Sequence, residues 1–195
     1  MGVYELSGAG SIKTGRTLYT SMNAGNQYGA MVPIASTTLT SVSNPSFYNI
    51  PQTYQDLMIV ANVRGTNASA LDTLVVDWVY VNQYSNTLLT GDGSSATSTR
   101  NTSQYGATPV MPGGNATAGV FGSIVVHILN YANTTTAKTA LFRSAADSNG
   151  SGQTMLGVAM RANTSAISYL DFGGANAPLA IGSTITLYGI RAVSS

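Results

Sequence analysis

Cysteine is absent from this 195-residue chain. Glutamate, histidine and tryptophan occur once each, as Glu5, His127 and Trp78, and only 8% of residues are charged. Each shortage excludes something. Without cysteine there is no disulfide framework, no thiolate zinc site and no thiol nucleophile. Glutamate and lysine are the common helix formers, so their near absence argues against helices. An ordinary domain carries about 25% charged residues. The eight Lys and Arg residues here are scattered singly and the net charge is +1. Such a distribution lacks the basic footprint that nucleic-acid binding needs. One histidine gives little material for a Ser-His-Asp triad or a zinc site. No apolar run approaches the ~18 residues of a membrane helix. The opening residues Met1 to Ser7 lack the basic and apolar regions of a secretory leader. The expectation is a chain with no cofactor, no metal, no nucleic-acid partner and no membrane segment.

Apolar residues make up 44% of the chain, enough for a core. They come in short runs separated by Gly, Ser, Thr, Asn and Ala. Runs rich in β-branched and aromatic residues predict strands over 34–43, 55–64, 73–82, 119–131, 137–145, 154–161, 166–172 and 183–191. Residues 162–165 read as a hairpin turn between two of them. The stretch 89–118 reads as one long loop. No 3.6-residue apolar period extends over a helical length. About eight antiparallel strands with long crossing loops predict an all-β fold, a jelly-roll-like antiparallel sandwich over residues 34–195. Residues 1–33 differ in composition and read as an extended N-terminal attachment arm. Its Tyr4, Leu6, Tyr19, Met22, Tyr28 and Met31 are the candidate contacts with a partner, because tyrosine offers apolar area with a polar tip.

Candidate chemistry is sparse. His127 lies between strong β-formers and reads as structural. Asp72 and Asp77 are five apart, which puts them on opposite faces of a continuous strand. Asp92, in Gly91-Asp92-Gly93, reads as a turn residue, since the full calcium-loop spacing is missing. Trp78 and Tyr80 share one strand face. They read mainly as sandwich core, with sugar stacking as the functional alternative. No residue is singled out as catalytic, cofactor-binding or metal-ligating.

Three stretches carry a resemblance. Asn49-Ile50-Pro51-Gln52-Thr53-Tyr54-Gln55-Asp56-Leu57 leads into an apolar strand. Gly91-Asp92-Gly93-Ser94-Ser95-Ala96 forms a small-residue loop. Gly182-Ser183-Thr184-Ile185-Thr186-Leu187-Tyr188-Gly189-Ile190 closes the chain. Together they resemble small virion structural proteins of tailed bacteriophages, over about residues 48–192. The resemblance implies a jelly-roll-like domain that assembles, often as a homotrimer, without catalysis. It implies location in the virion after assembly in the host cytoplasm. The partner would be the major capsid protein for a decoration (cement) protein, the leading expectation. Neck or tail proteins would be the partners for the alternative, a tail fibre or appendage, whose tip would bind host surface glycan.

Overall fold

The structure is a computed structural model that describes residues 4–5, 11–12, 30–78, 84–103, 105–148 and 150–192. Every regular element among them is a β-strand, and every pairing is antiparallel. Two short strands, β1 (Tyr4–Glu5) and β2 (Ser11–Ile12), pair only with each other. The remaining twelve make two sheets. The larger contains β3 (Met31–Thr38), β5 (Asp56–Val63), β7 (Tyr84–Gly91), β8 (Ala96–Ser103), β10 (Gly122–Leu129), β11 (Lys138–Asp147), β12 (Gly152–Arg161) and β14 (Thr184–Ile190), in the order β3-β14-β5-β10-β11-β12-β7-β8. The smaller runs β4 (Ser46–Phe47), β13 (Leu170–Gly174), β6 (Leu71–Asp77), β9 (Val110–Pro112). The expected antiparallel sandwich is the fold, with twelve strands in unequal sheets.

Strand alternation explains the packing. In β5, Leu57, Ile59, Ala61 and Val63 are buried while Met58 and Val60 turn outward. In β10, Ile124, Val126 and Ile128 point inward, and β14 adds Ile185 and Leu187. The small sheet answers with Leu74, Val76, Leu170 and Phe172, and one contiguous core results. Each such side chain contributes about 1.5–3 kcal/mol on full burial.

Two of the few cations fasten loops. The Arg64 guanidinium donates to the carbonyls of Thr117 at 2.6 Å, Ala116 at 2.7 Å, Gly114 at 3.0 Å and Val120 at 3.1 Å. Lys138, fully buried, donates to the carbonyls of Asn133, Thr136 at 2.8 Å and Thr164 at 2.9 Å. Asp92 caps the β7–β8 turn, accepting from the backbone of Ser94 at 2.9 Å and Ser95 at 2.7 Å. Those bonds hold its carboxyl well below the usual carboxylate range.

Three expectations change. The 89–118 stretch is not one loop, because it holds β8 and β9. Strand β8 hydrogen-bonds to β7 alone and its residues 96–102 are exposed, so backbone pairing with no buried side chain defines it. Residues 162–165 do not form a hairpin turn, since β12 lies in the large sheet and β13 in the small one. The connection crosses between layers, held by Lys138 on Thr164. The sandwich begins at Met31, where β3 pairs with Ile190 of β14, ahead of the expected boundary at 34.

Candidate interaction face

The small sheet packs on one face of the large sheet, and the other face carries the outward residues of five central strands. Cross-strand register lines these up. One row runs Val60, Val125, Arg143, Leu156, Leu89. The next runs Met58, His127, Leu141, Val158, Thr87. Directly opposed side chains lie about 4.5–5.5 Å apart at Cβ, so each row is a continuous surface. Leu156 is 57% exposed, Leu89 52%, Leu141 48% and Val60 40%. Isolated exposed leucines are ordinary, but a contiguous apolar patch marks an interaction site. A shallow depression of about 200 Å³ at its centre is lined by Met58, Val125, His127, Leu141, Arg143 and Leu156, with Phe142 at its floor.

Two charged features sit in this apolar field. His127 Nε2 lies 3.1 Å from Asp56 Oδ2. The other oxygen of Asp56 accepts from the Asn130 backbone at 2.8 Å, so both carboxylate oxygens are engaged. His127 therefore sits on the outer face in an ion-pairing geometry rather than in the core. Arg143 stands alone in its row, exposed. Among the described residues no three His, Cys, Asp or Glu side chains gather as a metal-ligand set. No helix of the described residues is long and apolar enough to cross a membrane.

The other sequence candidates fall elsewhere. Trp78 is 1% exposed and meets the Tyr84 ring edge-on at 5.1 Å between centroids. Its ring belongs to the core and presents no face to a sugar. Tyr80 lies outside the described residues, as do the side chains of Tyr4, Leu6, Tyr19, Met22 and Tyr28. Met31 opens β3 at the sheet edge, 40% exposed. Asp72 and Asp77 do point to opposite faces of β6, with Asp72 turned to the core. One aromatic pair that solvent reaches joins Tyr169, a tyrosine that the sequence offers for sugar stacking, to Tyr48, which it does not. Tyr48, 64% exposed, stacks on Tyr169 with centroids 6.2 Å apart and planes at 28°. The two lie 121 residues apart in sequence, and neither falls in a periodic pattern that would mark it. The outward leucines were legible as alternating positions within strands, but which face the second sheet would cover was not. Compared with known proteins, the chain matches no family model, no curated protein and no solved structure.

Proposed function

We propose that this protein is a non-enzymatic structural component of a phage virion that works by assembly, most specifically a capsid decoration protein. The exposed apolar face of the large sheet is the observation that carries this reading. The outward residues of the five central strands cover about 24 Å by 26 Å, about 600 Å², the size at which an exposed apolar patch marks an interaction site. The resemblance noted in the sequence supplies the virion setting. Two of its three segments are β14 and the lead into β5, which are hydrogen-bonded neighbours. In this reading a homotrimer buries the leucine rows, and the chain before Met31 reaches the capsid.

The test is oligomeric mass. Native mass spectrometry should give a trimer for the wild type and a monomer for the Leu141→Glu, Leu156→Glu double variant, with an unchanged β-sheet circular dichroism spectrum. Both side chains are already half exposed, so the variant keeps its fold. A wild type that stays monomeric at high concentration sinks the assembly reading.

A neck or tail appendage that reads host glycan is the second reading, and the Tyr48–Tyr169 stack favours it. Aromatic faces are common platforms for sugar rings. Binding on a glycan array that disappears in Tyr48→Ala would select it over decoration.

A further inference from the structure

Arg161 ends β12 facing inward and is 6% exposed. Its cross-strand neighbours in register are Lys138 on β11 and Tyr84 on β7. Its Nε is wholly buried and has no hydrogen-bond partner. Burying an unpaired charge costs several kcal/mol, so the arrangement needs an explanation. Lys138 makes it more acute. Its ammonium spends three donors on three carbonyls, yet its charge remains, and burial together with the Arg161 guanidinium holds its pKa below the ordinary lysine value. Two like charges thus sit side by side in the interior with no carboxylate ion-paired to either.

Two polar atoms on the neighbours of Tyr84, itself opposite Arg161, repeat the pattern. Trp78 Nε1, on the ring that abuts Tyr84, is buried without a partner. Asn86, 2% exposed, lies one inward row along from Tyr84, opposite Ala159, and its Oδ1 is likewise unpartnered. Turning the Asn86 amide through 180° would exchange Oδ1 for Nδ2 and present a further donor. A cluster with a free guanidinium fork, an indole N–H and a carboxamide is donor-rich and positively charged. Planar or tetrahedral oxyanions match that geometry, because a guanidinium binds them through paired N–H bonds.

We propose that Arg161, with Trp78 and Asn86, forms a binding site for a small oxyanion, a carboxylate or a phosphate, at the β7–β12 end of the sandwich interior. The Lys138 charge behind it adds attraction. The bound anion neutralises the buried cations and locks the ends of β7, β11 and β12 together.

The chain's single tryptophan makes the test direct, because the protein shows one indole N–H resonance. Full-length protein would be titrated separately with sodium acetate and sodium phosphate, against sodium chloride at matched ionic strength. The expected result is a saturable shift of the indole resonance and a rise in melting temperature of about 5 °C at saturation, with chloride giving neither. The stronger of the two probes identifies the ligand as carboxylate or phosphate. Arg161→Met should remain folded, since it deletes an unpaired buried charge, and should lose both responses. Trp78→Phe keeps the ring and removes the donor, and should raise the half-saturating concentration about threefold to tenfold, read by melting temperature. It serves as the second probe if Arg161→Met fails to fold. Equal responses to chloride and to both oxyanions, or full responses retained in the variants, would overturn the proposal.

Discussion

Asp77 and Asp171 face each other directly across β6 and β13, and like charges opposed on a sheet destabilise it. Both oxygens of Asp171 are buried without a hydrogen bond. Asp77 accepts from the Gly106 backbone at 2.5 Å. Burial pushes the Asp77 carboxyl up to about 6, against the lowering effect of the Gly106 bond, and the Asp171 charge adds to the rise. A carboxyl raised on folding binds its proton more tightly in the native state than in the unfolded chain. Stability therefore falls as pH rises from about 4 to about 6 and is level above that. Asp77 is partly solvated, so screening reduces the effect to about 1–2 kcal/mol. Asp77→Asn keeps the acceptor for Gly106 and removes the charge. Urea melts at pH 4 and pH 7.5 should show the wild type losing stability between them and the variant losing little. Equal slopes for the two proteins would refute this account. Nothing in the sequence marks this pair, because the two residues lie 94 positions apart and only the register of two strands opposes them.

At the scale of elements, the strands were legible where side chains alternate and illegible where they do not. β5, β10 and β14 place apolar residues at every second position because one of their faces is buried. β8 reads Ala-Thr-Ser-Thr-Arg-Asn-Thr-Ser and buries none of residues 96–102, so no alternation records it. Its polar composition suits an edge strand, where an apolar one would invite pairing with other chains. The lead into β5 and the strand β14 meet through one glycine. A Cβ on Gly189 would lie 2.3 Å from Tyr54 Cγ and 2.5–2.6 Å from its neighbouring ring atoms. The nearest atom is the root of the ring and not its far end, so only a shift of the whole side chain would relieve the contact. Gly189→Ala should therefore cost about 1–3 kcal/mol by overpacking, measured by chemical denaturation. In a Tyr54→Ala background the same change should cost little, and a full cost there would refute the clash. Gly157 stands under the Phe142 ring in the same way, with a Cβ 2.3 Å from Cζ.

For the whole molecule, the unequal sheets matter most. Four strands cover one face of eight, and the opposite face keeps its leucines in solvent. If assembly buries them as proposed, the melting temperature rises with protein concentration, and the Leu141→Glu, Leu156→Glu variant loses that dependence. Two of the sparse charges share a use that composition did not reveal. Arg64 and Lys138 bond to carbonyls, not to carboxylates, and so fasten loops without needing acidic partners. The sequence by itself determined the class of fold, the absence of helical periodicity, the alternation within the central strands and the turn at Asp92. Those depend on residues near one another along the chain, through strand alternation and short-range hydrogen bonds. Only the tertiary structure decided that Trp78 is core, that Tyr48 meets Tyr169, that Asp77 opposes Asp171 and that Arg161 stands beside Lys138. Each of these depends on which strands pair and in what register, and the long-range packing of two sheets sets that.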